Sequence, residues 1–188
     1  DRNCLRIGMI SISENIQLQK INIKDQLKLM QLLELIYPPA YKHLWINEDC
    51  SFYLNNFYSI ENLELELSDS NAEYYFVIYN ANVVGIFRFI YNRAFEDFPK
   101  KQSTYLNRIY LSEEAQGKGV AQQLLNWAEQ KAKQNGNALI WLKAMDSQKQ
   151  ALRFYEKQGY NFGIPTQLDF ELIHPNLRGM YTMYKHTT

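Results

Sequence analysis

Between a strand-like run and an amphipathic helix lies the segment Leu111-Ser-Glu-Glu-Ala-Gln-Gly-Lys-Gly-Val-Ala121. The chemistry it suits is anion binding. A helix start leaves several backbone N–H groups without partners and carries a partial positive charge, so phosphate groups settle there. Gly117 and Gly119 let the chain turn sharply and approach an anion with no Cβ in the way. Lys118 adds charge, but any side chain would serve where the main chain supplies the donors. Of two other phosphate loops, the residues exclude one and match the other only weakly. A P-loop requires Gly-x4-Gly-Lys-Ser/Thr, whereas Ser112 stands at the first glycine and Gly119 follows Lys118. A dinucleotide fingerprint requires a third glycine where this chain has Gln122.

The elements around the loop can be read from period and punctuation. Gly119 to Gln134 is a helix whose apolar stripe is Ala121, Leu124, Leu125, Ala128 and Ala132, stopped by Asn135-Gly136-Asn137. Tyr105 to Leu111 is the strand before it and Ala138 to Ala144 a buried strand after it. Ser147 caps a helix to about Gln158, with Gln150 completing a capping-box pattern and Gly159 ending it. Upstream, Ile16 to Ile23 reads as a strand. Asp25 caps a helix carrying Leu29, Leu32, Leu33 and Ile36, which Pro38-Pro39 ends. Ala40 to Ile46 and Glu61 to Leu67, the latter capped by Ser59, read as two more helices. Tyr74 to Tyr79 and Val83 to Tyr91 form a hairpin about Asn80-Ala81-Asn82, and Phe162 to Leu172 with Gly179 to Tyr184 close the chain. The order β-α-α-α-β-β-β-α-β-α-β-β predicts an α+β fold with one mixed central sheet flanked by helices.

The 188 residues suit one domain, placed at residues 9–188, with residues 1–8 ahead of Met9 set outside the fold. Twenty basic residues balance twenty acidic ones, so charge gives no reason to expect nucleic acid or a membrane as partner. No apolar run approaches the roughly 20 residues of a membrane span, and no secretory leader is expected. Cys4 and Cys50 lie far apart and read as reduced thiols, which points to the cytoplasm. His43, His174 and His186 are dispersed without ligand spacing, so no metal is expected. Trp141 and Met145 read as core.

Gln116-Gly117-Lys118-Gly119-Val120-Ala121 resembles the Gln/Arg-x-x-Gly-x-Gly/Ala signature of the GNAT N-acetyltransferase superfamily. One strand further on, Ala151-Leu-Arg-Phe-Tyr-Glu-Lys-Gln-Gly-Tyr160 looks like that family's Ala-x-x-Phe-Tyr-x-Lys-x-Gly-Phe element. The resemblance is sharp from Leu106 to Tyr160 and topological elsewhere, over Ile16 to Lys185. It implies an acetyl-CoA-dependent N-acetyltransferase, with acetyl-CoA as co-substrate. The pantetheine would pair with the main chain of Ile109, Tyr110 and Leu111, and the pyrophosphate would sit on Gln116 to Ala121. The Leu111 N–H would polarise the thioester carbonyl, and the Tyr155 phenol would return a proton to the thiolate. Gln148 stands where the family often has Asn, which puts that cofactor contact in question.

Two roles stay open. An amine with a pKa near 10.4 must lose a proton before it attacks, yet Tyr105 to Leu111 holds no carboxylate. A water chain on Asn107 and Tyr110, or a carboxylate from Glu73, Glu96 or Asp97, are the candidates. For the acceptor, Tyr37, Tyr41, Trp45 and Glu48 form an aromatic-plus-acid set suited to a cationic amine, and a loose likeness to bacterial polyamine-type members points to a small primary amine. Acetylation of a protein N-terminus or lysine, and a non-catalytic acyl-CoA-binding sensor, are the alternatives. A homodimer is left open.

Overall fold

The structure, a computed structural model, describes residues 8–188. The reading of Cys4 lies outside the described residues. Eight strands make one sheet in the order β1-β2-β3-β4-β5-β6-β8-β7. They are β1 (Met9–Ser11), β2 (Ile16–Lys20), β3 (Ala72–Tyr79), β4 (Asn82–Ile90), β5 (Ser103–Leu111), β6 (Leu139–Met145), β7 (Asn161–Gln167) and β8 (Gly179–His186). Every neighbouring pair is antiparallel except β5 and β6. A parallel pair needs a crossover, here supplied by α4 (Val120–Gln134). Helices α1 (Gln26–Tyr41), α2 (Ser51–Phe57) and α3 (Ile60–Ser68) lie between β2 and β3 in the chain, and α5 (Lys149–Lys157) between β6 and β7. The mixed, helix-flanked α+β layout is as expected, with β1 and α2 added and the short helix over Ala40 to Ile46 reduced to a 3₁₀ turn at Lys42–Leu44 that follows α1.

Two apolar layers form, one per face of the sheet. The stripe read from α4, Leu124, Leu125 and Ala128, packs with Phe87, Phe89, Ile140 and Leu152. On the other face Leu29, Leu33 and Ile36 of α1 meet Phe76, Ile86, Leu63 and Ile173. Leu124 is fully enclosed, so truncation to alanine there should cost about 2–5 kcal/mol.

The differences from the sequence reading have local causes. Pro38 and Pro39 sit inside α1 and do not end it. They fall in its last turn and remove two N–H donors there, a cost met by the stacking that anchors Tyr37 and Tyr41 on either side. Asp25 makes no side-chain cap to α1. It instead closes a capping box with Asn22 around a preceding 3₁₀ turn. The Ser147 cap does not form either: its Oγ is buried without a partner among the described residues, and Gln148 takes the N-cap position. Ser59 does cap α3, accepting from the Asn62 N–H. The β3–β4 turn holds Asn80 and Ala81 at φ 48° and 68°, the left-handed pair that a two-residue hairpin requires.

Candidate active site

Strand β5 carries the site. It pairs with β6 only from Ser103–Leu106 against Leu139–Leu142, and beyond that the two strands part. From Asn107 to Leu111 one edge of β5 faces β4 and the other faces no strand. Ser112 donates its N–H to the Val84 carbonyl on the β4 side at 2.7 Å. Successive N–H groups along a strand point opposite ways, so the Leu111 N–H points to the open edge. The ladder between β4 and β5 slips between Arg88 and Phe89, opposite Arg108 and Leu106, which leaves Asn107 as a bulge residue. A bulge re-aims the side chains that follow it. Leu106 packs with the α4 layer, whereas Tyr110 packs with the α1 layer and Arg108 reaches Glu66 of α3.

A groove continues from Leu111 past the glycine loop. Gly117 and Gly119 hold φ 70° and 76°, in the left-handed region, and a Cβ on either would meet nothing within 4 Å. The glycines serve backbone shape, and the space beside them is open. From Gly117 to Gln122 the backbone N–H groups donate to no protein acceptor among the described residues. Gln116 turns its Nε2 back to the Leu111 carbonyl at 3.4 Å, and Lys118 is exposed. Leu35, Pro39 and Ala40 of α1 and Phe154 of α5 form the other walls.

Where β5 and β6 part there is a second depression, a cavity of about 310 Å³. It meets the groove at Tyr41, Gln148 and Ala151. Its walls are aromatic. Tyr37 stacks on Tyr41 and Tyr53 with centroids 4.8 and 4.5 Å away, and Tyr110 stands edge-on to Tyr37 and Tyr41. The Tyr37 hydroxyl accepts from Trp45 Nε1 at 3.0 Å, and the Tyr53 and Tyr110 hydroxyls lie 2.9 Å apart. Burial, then the neighbouring Tyr53, pushes the Tyr41 phenol up to about 12 and the Tyr37 phenol higher. Tyr155 lines the same cavity, and burial followed by Tyr41 raises its phenol well above 10. It therefore holds its proton far into the alkaline range. Its hydroxyl makes no hydrogen bond among the described residues, so it is free to donate to a ligand.

The residues chosen from sequence divide as follows. Ile109, Tyr110, Leu111, Gln116 to Ala121, Gln148 and Tyr155 come together along the groove and cavity, apart from Lys118, which stands outside the walls. Gln148 already spends its Nε2 on the Ala40 carbonyl at 2.7 Å, leaving its Oε1 for a cofactor. Tyr37, Tyr41 and Trp45 line the cavity. Glu48 does not, which corrects the acid of the aromatic-plus-acid set. Asn47 and Glu48 adopt φ 59° and 55°, which turns Glu48 outward to Lys42 at 3.6 Å on the surface. None of the base candidates from elsewhere is in the cavity: Glu73 accepts from Tyr75 and Tyr91, Glu96 is exposed, and Asp97 accepts from the Ile164 N–H. Asn107 and Tyr110 do line it, Asn107 accepting from Arg88 Nη1 at 2.8 Å.

Sequence reasoning missed Tyr53, Phe57, Phe170 and Arg108 in the walls. Helix α2 spans seven residues, too short for a periodic stripe to show. Arg108 was in view as part of a strand, but the bulge that aims it was not. Among the described residues no group of three or more His, Cys, Asp or Glu could hold a metal ion, and no helix is long and apolar enough to cross a membrane.

The model of the acetyltransferase (GNAT) family matches residues 28–160. An uncharacterised N-acetyltransferase in the pepI 3' region of Lactobacillus delbrueckii subsp. lactis is 24% identical over 112 residues. That match covers 60% of this chain and 65% of the relative, less than two thirds of its length. The PaiA N-acetyltransferase of Thermoplasma acidophilum, solved with coenzyme A, superposes with a TM-score of 0.68 at 19% identity, over 91% of this chain and 98% of that one. The spermidine N-acetyltransferase of Vibrio cholerae, solved with CoA and spermine, gives 0.64 at 18% identity, over 93% and 97%. At these identities the likeness to both is one of fold.

Proposed function

Since the chain belongs to the acetyltransferase (GNAT) family, we propose that it moves an acetyl group from acetyl-CoA to a primary amine of a small molecule, by direct attack in a ternary complex. One observation carries the reading: β5 runs with a free main-chain edge from the aromatic cavity to the glycine loop, so one extended cofactor can lie along both. Its pyrophosphate meets the N–H groups from Gly117 to Gln122, and its pantetheine takes the place of a missing strand beside Ile109 to Leu111. Attack by the amine nitrogen forms the C–N bond, and the carbonyl oxygen gains charge near the Leu111 N–H. Collapse breaks the C–S bond, the Tyr155 phenol gives its proton to the sulfur, and the proton that the nitrogen releases on becoming an amide goes to water, from which the phenolate is reprotonated.

The proton of the amine needs no carboxylate in this scheme. Enclosure away from water and the guanidinium of Arg108 both disfavour an ammonium ion in the cavity. The acceptor enters as the neutral amine, shedding its proton to water. A cavity of about 310 Å³ sits at the low end of ligand sites and favours a small acceptor. The test is release of free CoA thiol from acetyl-CoA against a panel of amines. Release with at least one amine is expected, with an acidic limb in kcat/KM that follows the pKa of each acceptor. Acetyl-CoA binding without thiol release for any amine would overturn the reading in favour of an acyl-CoA sensor.

A further inference from the structure

The charge lining the cavity is one-sided. Arg108 and the exposed Lys143 are its basic residues, and no Asp or Glu lines it. Behind Arg108, Glu66 is the carboxylate shared by two buried arginines. Arg108 Nη1 donates to Glu66 Oε1 at 2.8 Å, and Arg88 Nη1 lies 3.2 Å from Glu66 Oε2. Two guanidiniums against one carboxylate leave a net positive charge, with Arg88 and Arg108 only 5% and 8% exposed. Buried charge is costly unless it is paired; the rings of Tyr58 and Tyr74, 5.2 and 5.8 Å from the Arg108 guanidinium carbon, soften that cost but supply no anion. The Nε and Nη2 groups of Arg108 donate to no protein acceptor among the described residues, since its bonds to Glu66 and the Tyr74 hydroxyl both use Nη1. A guanidinium with those donors free presents the planar fork that matches a carboxylate. The remaining walls, Tyr37, Tyr41, Tyr53, Phe57 and Phe170, suit an apolar or aromatic body.

We propose that the acceptor is an amine that also carries a carboxylate, with an apolar or aromatic side group, and that Arg108 is the residue that selects it by pairing with that carboxylate. This rests on the acetyl-transfer reading and narrows its substrate. A polyamine is the contrary case, since its second ammonium would face a cation where it needs an anion.

Matched acceptors test it: phenylalanine against phenethylamine, leucine against isoamylamine, with phenylalaninamide and spermidine alongside. Wild-type chain should favour each amino acid over its decarboxylated partner by about tenfold or more in kcat/KM, the effect of one hydrogen bond between charged groups. Arg108→Lys keeps the charge but not the fork, and should lower that ratio severalfold while acetyl-CoA affinity, measured by calorimetry, stays unchanged. A wild-type preference for spermidine or the bare amines overturns the proposal, as does a ratio that Arg108→Lys leaves intact. If no amine releases CoA, the transfer reading fails and the carboxylate site is still tested. Heat of phenylalanine binding to the CoA-saturated chain, weakened in Arg108→Lys, supports the site, and absence of that heat in the wild-type chain overturns it.

Discussion

At the glycine loop the chain presents main-chain N–H groups to the groove, and the side chains of Gln116 and Lys118 are exposed. In the cavity the order is reversed. There β5 contributes an open edge only a few residues long, and the cavity is lined by Tyr37, Tyr41, Tyr53, Tyr110 and Tyr155 together with Arg108. A backbone-built site answers to φ and to charge and is indifferent to most side chains. A site built of side chains answers to individual atoms, such as one hydroxyl or one guanidinium. The same strand serves both because one of its edges is unpaired.

The largest effect that would break this contrast is at Gly119. Gly119→Asp puts a carboxylate where we propose that phosphate sits, and should abolish acetyl-CoA binding in calorimetry. Gly119→Ala is the paired control. It meets no atom within 4 Å, so binding should survive even though the left-handed φ costs about 1–2 kcal/mol of stability. Loss of binding in both variants would mean that the loop's shape, and not its donors, is what matters.

Next in size is one atom in the cavity. Tyr155→Phe keeps ring and packing but removes the proton, and should lower kcat by about 10²- to 10⁴-fold with acetyl-CoA affinity little changed. Since the phenol titrates well above 10, wild-type rate should hold through pH 10 before its alkaline limb. That limb should vanish in the variant. A variant with nearly full kcat would return Tyr155 to the packing.

A smaller, collective effect separates the regions by pH. Burial raises the phenols of Tyr37, Tyr41, Tyr58, Tyr110 and Tyr155 in the folded chain. An unfolded chain releases those protons near pH 10, so their contribution to stability is complete below that and falls as pH rises through the folded values. For Tyr41 the window is about 10 to about 12. Melting temperature should thus drop steeply above pH 10, and less steeply in Tyr41→Phe, with unchanged slopes counting against the cluster. The smallest effect is Lys118→Ala, whose acetyl-CoA affinity should fall only modestly. A loss exceeding that of Gly119→Asp would make the groove a side-chain site after all.

The groove was the more legible region because its signals are local. Two glycines, a small residue at 121 and a helical stripe all lie within a short stretch, and Gly117 and Gly119 have the φ that their type suggests. The cavity draws on residues from Tyr37 to Met180, which only the folded sheet brings together. Tyr37 and Tyr41 could be picked out as aromatic neighbours, but Glu48 was misread because two left-handed residues turn it away. Pro38-Pro39 misled for the opposite reason, as a strong local signal overridden by the packing of the rings on either side. The bulge at Asn107 has no glycine or proline to announce it, and with it went Arg108.

The parting of β5 from β6 also bears on how the chain avoids unwanted association. A strand edge with free donors and acceptors invites another strand, and proteins usually blunt such edges with charge or proline. Here the free edge lies within the sheet, flanked by α1 on one face and α5 on the other. The Gln148–Ala40 bond ties the two helical layers together across the opening. A strand docking there would have to seat side chains on both faces of the sheet, against α1 and α5. The two helical layers thus cover the edge that the parting of β5 from β6 leaves open, and screen it from a neighbouring molecule's β-strand.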